Sequence, residues 1–417
     1  MGGVDSFLAG LGPARMVFDL DAFARLLRTL GSPQTTFPAL HVAGTNGKGS
    51  VCAMAEAVLR AHGEHTGLYT SPHLDHPRER IAIDGEAVGL DRFEKEVVAL
   101  RDQLDRAASA VGYSYFDFLT ALAFTLFAAE GISAAVVETG LGGRLDSTRL
   151  CLPRVSCITP VDYDHTALLG ESLAAIAGEK AGILRRGATC VVAPQPPEVK
   201  AVFQKAAREQ GCALLHFGVD FDAEAAKSGG WRYHSLHGTT LGLPMPLAGG
   251  HQIVNAGCAL ASVEAFLGQP VDRERTSVAL TGLCWPGRLE WLGGLLLDGA
   301  HNPAGARALG TYLRAQKTPI RLLWGMLQGK DAAGFLSALG ITPEAVVLPR
   351  LADPRGRAPE TLVNLLPPEV PHRVVDSVAE ALAVDGGDGR GTSCITGSLT
   401  LVAEARRLLL TSPARSR

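Results

Sequence analysis

Residues 40–63 limit what this chain can fold into more than any other stretch. Leu40, Val42 and Ala43 read as the end of a short buried strand, followed by Gly44-Thr45-Asn46-Gly47-Lys48-Gly49-Ser50. The three glycines predict a turn that side chains could not enter. From Ser50 onward Val51, Met54, Ala55, Val58 and Leu59 follow the i, i+3, i+4, i+7, i+8 spacing of a helix packed by one face, and Gly63 is a suitable stop. Strand, glycine loop and helix together form the geometry in which backbone N–H groups and a positive helix end cradle phosphate. Lys48 would reach the outer phosphates, and Ser50 would offer its hydroxyl to them or to magnesium. The spacing departs from the common phosphate loop: Gly44 stands only three residues before Gly47, and Gly49 separates Lys48 from Ser50. An ordinary glycine-rich turn is the alternative. The helix starting directly after Gly-Lys favours the phosphate cradle.

A chain of 417 residues exceeds one typical core and suits two domains. With 47% hydrophobic and 19% charged residues the composition is globular, and a net charge of −3 gives no reason to expect nucleic acid. Eight cysteines without a C-x-x-C pair suggest neither zinc nor a disulfide framework, so reduced thiols in a soluble, cytoplasmic enzyme are expected. The N-terminus lacks the basic and apolar regions of a signal peptide, and the longest apolar run, about 119–129, is too short to span a bilayer.

Along the chain, residues 1–39 predict two short helices with Phe18, Leu20, Phe23, Leu26 and Leu27 as their apolar set. Residues 67–74 predict a second strand that ends at Thr70-Ser71, the usual address of ligand groups in an α/β fold. Residues 113–130 predict a long buried helix with an aromatic opening. The β-branched run 132–137 ends in Glu138, where P-loop enzymes place a magnesium-side acid; a solvated strand-end glutamate is the alternative. A strand over 155–160 leads to Asp164-His165-Thr166, where His165 is either a ligand or an ordinary hydrogen-bonded histidine. Ser172–Leu184 predicts a helix carrying Lys180, and 190–194 a short strand. Residues 195–245 predict a helix, a variable stretch and a small hairpin. A helix opens at 249–256, with His251 at its entry. After Pro286-Gly287, strands at 295–297, 321–325, 345–348, 373–375 and 394–396 alternate with helices, which predicts a second parallel sheet.

The variant loop Gly-Thr-Asn-Gly-Lys-Gly-Ser resembles the ATP loop of the folylpolyglutamate synthase and dihydrofolate synthase family, within the Mur-type amide ligases. Thr70-Ser-Pro-His-Leu74, Glu138-Thr-Gly-Leu-Gly-Gly-Arg-Leu-Asp146, Asp164-His-Thr166, Glu179-Lys-Ala-Gly-Ile183, Leu297-Asp-Gly-Ala-His-Asn-Pro303 and Thr396-Gly-Ser-Leu399 match family segments in the same order. The resemblance is strong over about residues 40–300 and looser beyond. It implies an α/β protein with a P-loop-type, mostly parallel sheet in an ATPase domain (1–285), followed by a smaller Rossmann-like domain (286–417). It implies ATP-dependent ligation of L-glutamate to dihydropteroate and/or reduced folates through an acyl phosphate, with ADP and phosphate released. It also implies one or two Mg2+ held by Ser50, Ser71, Glu138 and His165. Asn255, Arg288 and Asp298 would meet ATP together with the loop. Tyr115, Phe116, Asp117, Leu145, Asp146 and Ser147 would meet the pterin, and His301 and Ser398 the glutamate. Asp117 stands where the family has glutamate, one methylene longer. Lys180 matches a lysine carbamylated by carbon dioxide, a modification that requires a partly neutral amine. Lys330-Asp331 matches a family pair with no role assigned. The forty-three residues ahead of the loop are expected to leave no room for the uridine-nucleotide domain of cell-wall ligases.

Three functions stay open at this stage. A bifunctional dihydrofolate and folylpolyglutamate synthase is favoured over polyglutamylation alone. A nucleotide switch is disfavoured, because the chain has no Asn-Lys-x-Asp motif and a switch needs no second α/β domain. The expected partners are small molecules only, without membrane or nucleic acid, and a monomer is expected.

Overall fold

β1 (Pro38–Ala43) forms the centre of a sheet because its side chains from Ala39 to Ala43 are all buried, as in strands covered by helices on both faces. In the computed structural model, which describes residues 2–11, 19–106, 112–227, 229–384 and 391–411, β1 pairs in parallel with two later strands. The first sheet contains β2 (Thr66–Tyr69), β3 (Ile81–Ile83), β4 (Glu86–Ala87), β5 (Ala134–Glu138), β6 (Leu152–Ile158), β7 (Thr189–Val192) and β8 (Ala213–His216). Their order is β4-β3-β2-β5-β1-β6-β7-β8, parallel from β2 to β8, with β3 and β4 turned antiparallel at one edge. The register sets Val42 beside Glu138 and Ala43 beside Ile158. The carboxyl ends of β5, β1 and β6 therefore open at one level.

The helix Lys48–Ala61 was expected to pack by one face. Instead every residue from Ser50 to Leu59 is buried, because the helix lies on β5, β2 and β1 and is also covered by the helix Arg273–Thr281. The long helix Tyr115–Glu130 fills the other apolar layer with Phe118, Leu119, Phe124 and Phe127. The small hairpin expected before 245 is a three-stranded antiparallel meander of β9 (Asp222–Ala225), β10 (Trp231–His234) and β11 (Thr240–Leu243), and β8 joins the main sheet instead. Phe18, assigned to the leading helices, lies outside the described residues. The helices Gly2–Gly10 and Leu20–Thr29 are formed, and Phe23, Leu26 and Leu27 are buried.

The chain divides into two compact units, Met1–Pro246 with Ile253–Leu283, and Leu247–Gln252 with Cys284–Arg417. These differ from the expected functional division at 285/286 in where 247–252 and 284–285 fall. The second unit holds β12 (Glu290–Leu292), β13 (Leu295–Leu297), β14 (Ile320–Trp324), β15 (Ala345–Pro349), β16 (His372–Val375) and β17 (Thr392–Thr396), in the order β12-β13-β17-β14-β15-β16. All but β12 run parallel. β12 is an unforeseen partner of β13, joined by Gly293-Gly294 with φ of 57° and 79°, the positive pair that a two-residue hairpin requires. Because β17 returns between β13 and β14, the residues after all three strands lie side by side: Asp298 N–H donates to Ile395 O and Gly397 N–H to Ala300 O, both at 3.0 Å.

Candidate active site

The loop after β1 is built around two glycines. A Cβ at Gly44 (φ +151°) would stand 1.8 Å from Thr159 Oγ1, and one at Gly47 (φ +89°) 2.4 Å from Asn255 Oδ1. Asn255, on the helix His251–Leu267, therefore lies against the loop. Thr45 ties the loop to the end of β6: its N–H donates to Pro160 O at 3.1 Å and its hydroxyl meets the Asp162 backbone O at 3.0 Å. Lys48 opens the helix, which no side chain caps, and its Nζ curls back to Gly44 O and Thr45 O at 3.3 Å each. Asn46 and Gly49 complete the loop. The uncapped helix start leaves its positive end to an anion.

Glu138 ends β5 one strand away and is only 4% exposed. Its Oε2 accepts the Ser71 N–H at 3.1 Å, which fastens the turn after β2 to the carboxylate. Ser50 is buried in the first turn of the loop helix. One carboxylate with the hydroxyls of Ser50 and Ser71 is an all-oxygen donor set of the kind Mg2+ uses when phosphates and waters supply the rest. Among the described residues no three His, Cys, Asp or Glu side chains converge as a metal cage. His165 takes φ +49° ahead of the short helix Thr166–Leu169. Its side chain is 45% exposed, with Nε2 3.8 Å from Asp164 Oδ1.

Lys180 lies on the helix Leu173–Ala181 but is 3% exposed, and its Nζ donates to Gly44 O at 2.8 Å. Gly44 O is thus shared by both lysines. Burial, reinforced by the charge of Lys48, pushes the Lys180 ammonium down to about 7, against Asp164 and Asp146, which pull it up. A large fraction of the amine is therefore neutral at physiological pH.

The residues expected to meet the pterin lie near the end of β5 and at the start of the helix Tyr115–Glu130. Tyr69 and Phe116 lie 6.0 Å apart between ring centroids, and a Cβ at Gly140 would meet Phe116 Cζ at 2.6 Å. Asp117 is occupied by its own fold: one oxygen accepts from Ser114 N–H at 2.8 Å and Oγ at 2.7 Å in a capping box, and the other accepts from Ser147 Oγ. Asp146 accepts from Leu141 N–H at 2.8 Å and Thr148 N–H at 3.0 Å, and also from the Thr148 hydroxyl. Burial nonetheless pushes its carboxyl up. Thr148 in turn meets His41 Nε2 at 2.9 Å. Burial and the nearby Arg185 and Arg149 push the His41 imidazolium down to about 3, so the ring is neutral. Leu145 is half-buried beside Asp146.

Sequence reasoning passed over His41, His73 and Arg80. Arg80 follows Pro77-Arg78-Glu79, a charged run that reads as solvated surface, yet it is 8% exposed. Its Nε donates to His73 Nδ1 at 2.8 Å and its guanidinium carbon lies 5.5 Å from the centre of the Tyr115 ring. Burial first, then Arg80, pushes His73 down to about 3.

In the second unit Asp298 follows β13 and accepts the Leu289 and Ala300 N–H groups, each at 3.0 Å. Burial pushes its carboxyl up, against the charge of Arg288 and these amides. Arg288 donates to Gly287 O at 3.2 Å. His301 Nδ1 meets Gly299 O at 2.9 Å, and Asn302 caps the helix Pro303–Gln316. Ser398 is buried and accepts the Leu401 N–H at 3.1 Å. Asp331 caps the helix Ala332–Leu339, which gives that half of the Lys330-Asp331 pair a structural use.

Residues 42–263 match the Mur ligase middle domain. The chain is 38% identical over 378 residues to the dihydrofolate synthase/folylpolyglutamate synthase of Mycobacterium tuberculosis, covering 82% of this chain and 76% of that protein. It is 35% identical to the folylpolyglutamate synthase of Lacticaseibacillus casei, covering 92% and 93%. Its fold superposes on Escherichia coli FolC in complex with DHPP and ADP with a TM-score of 0.87 at 29% identity, covering 97% of each chain.

Proposed function

The chain belongs to the dihydrofolate synthase/folylpolyglutamate synthase family of Mur ligases, and on that premise we propose that it joins L-glutamate to dihydropteroate and to reduced folates. ATP is split to ADP and phosphate through an acyl phosphate. The observation that carries this reading is the meeting of the Gly44–Ser50 loop, Glu138 and Lys180 at the carboxyl ends of β1 and β5, inside the region that matches the Mur ligase middle domain.

The acceptor's carboxylate attacks the γ-phosphorus, so the protein must gather negative charges that repel one another. Lys48 and the loop amides take the phosphates. Ser50, Ser71 and Glu138 are the residues that would hold Mg2+, with His165 proposed for a second ion. When bound, the metal would act as a Lewis acid on phosphate oxygens. Lys180, poised near neutrality, is proposed as the carbamylated lysine. The burial of Ser50, Glu138 and Lys180 gives a dry floor, which strengthens each of these interactions and protects an acyl phosphate from hydrolysis. The glutamate amine then displaces phosphate to form the amide. Asn255, Arg288 and Asp298 are proposed nucleotide contacts. His301 and Ser398 are proposed for glutamate, and Tyr115, Phe116, Leu145 and Asp146 for the pterin. Asp117 and Ser147, bonded to each other, are proposed as the base of that wall. The domain division 1–285 and 286–417 is part of the same proposal.

Phosphate release dependent on both ATP and glutamate tests the reading, with dihydropteroate and a reduced folate supplied separately. Release with both is expected. Release with reduced folate alone would favour the narrower activity for which the Lacticaseibacillus casei relative is named. Release with neither would overturn the substrate assignment.

A further inference from the structure

Arg80 is a buried residue of the first unit, 8% exposed, with no counter-charge among the described residues. Among the described residues no carboxylate pairs with it; its side-chain contacts are the Nε bond to His73 at 2.8 Å and the face of Tyr115 at 5.5 Å. The carboxylate adjacent in sequence is already committed, because Glu79 accepts the N–H groups of Leu74, Asp75 and His76 at 3.0, 3.1 and 2.8 Å. The neighbouring Arg78 points elsewhere and donates to Val88 O at 3.2 Å. A buried arginine is normally paired, since removing its hydration without a partner is costly. The fork formed by its two Nη groups matches a carboxylate in two parallel hydrogen bonds.

The position of Arg80 says which carboxylate. Its carbonyl accepts the Thr70 N–H at 3.0 Å, one residue before Ser71, whose own N–H is fixed on Glu138. Its side chain lies on Tyr115, next to Phe116 of the acceptor wall. Arg80 therefore stands between the phosphate-side turn and the aromatic wall proposed for the pterin. An acceptor whose ring system rests on that wall and whose carboxylate must reach a phosphate spans this gap.

Resting on the proposed function, we propose that Arg80 is the binding residue for the reacting carboxylate of the acceptor, held by its Nη groups while Nε stays on His73. His73 and Tyr115 are then positioning residues, which keep the fork from turning toward solvent. The acceptor class follows: an aromatic heterocycle that ends in a carboxylate, selected over the same ring system ending in a neutral amide.

The test is the affinity of the full-length protein, loaded with ADP, for dihydropteroate and for its carboxamide, which has the same shape without the charge. The wild-type protein should prefer the carboxylate by about tenfold to a hundredfold, the size of a charge-assisted hydrogen-bonded pair. Arg80→Met, which keeps an apolar stem against Tyr115, should bind both compounds alike and bind ADP as the wild type does. Arg80→Lys should recover part of the preference. A role confined to holding Tyr115 would weaken both acceptors equally, and that result, or a preference retained in Arg80→Met, would overturn the proposal. If Arg80→Met fails to bind ADP, Arg80→Lys decides by the same ratio. A wild-type protein that releases phosphate with dihydropteroate yet binds carboxylate and carboxamide equally would sink the Arg80 assignment alone. No release with any acceptor would sink the functional reading and this one together.

Discussion

Replacing Lys180 by methionine should make the protein more stable and inactive at once. The Lys180 amine is 3% exposed and titrates at about 7 instead of the ordinary 10.5. Folding therefore removes protons from this group between those two values. Because the unfolded chain binds more protons across that window, stability rises with pH from about 7 to 10.5 and the full burial cost is felt below it. At pH 7 the cost is about 4 kcal/mol, from 3.5 pKa units at about 1.4 kcal/mol each less the share already neutral in the folded state. Methionine keeps the length and removes the charge. Urea unfolding in buffer free of carbon dioxide should show a gain of up to about 4 kcal/mol at pH 7 that shrinks toward pH 10. The same depression makes the amine reactive. At pH 7 about half is neutral, against less than about 0.001 for an ordinary lysine, so carbon dioxide meets over a thousand times more free amine. A carbamate signal should appear by carbon-13 NMR when the wild type is given labelled bicarbonate, and be missing in Lys180→Met. A pH-independent stability difference between the two proteins, or an Nζ that titrates above about 9, would refute the reasoning. So would wild-type turnover in Lys180→Met.

Lys48→Ala should abolish ATP-dependent phosphate release while far-ultraviolet circular dichroism and melting temperature stay close to wild type, because among the described residues its Nζ hydrogen-bonds to two carbonyls of its own loop. Gly44→Ala should lose nucleotide binding, measured by calorimetry, since its Cβ would lie 1.8 Å from Thr159 Oγ1 at φ +151°. Neutral His41 should make the fold acid-sensitive: with its pKa pushed from 6.5 to about 3, the stability present above 6.5 is lost as pH falls toward 3, by about 4 to 5 kcal/mol in all. Urea unfolding of His41→Asn should show a flatter acid limb. Ser114→Ala should cost about 1 kcal/mol in thermal unfolding by removing the capping box of the Tyr115–Glu130 helix.

What could be read in the sequence was what short spans decide. The turn after β1 is written in Gly44 and Gly47, whose positive φ values no neighbour has to explain, and the strands around Glu138 and Asp298 are short apolar runs that end in a carboxylate. What could not be read depends on distant partners. The loop helix looked one-sided because the element that covers its other face, Arg273–Thr281, lies more than two hundred residues away. Arg80 looked like surface because Tyr115, which lies on it, comes thirty-five residues later. Asp117 shows the same thing at a single position. Beside the family's glutamate it is one methylene short; in the fold it forms a cap shared with Ser114 and a tie to Ser147 on the strand-end loop. Both its oxygens accept bonds from inside the protein, which ties the start of the Tyr115–Glu130 helix to the loop after β5. On the proposed function, discrimination between acceptors would then draw on Arg80, whose side-chain bond goes to His73 and whose guanidinium lies over Tyr115.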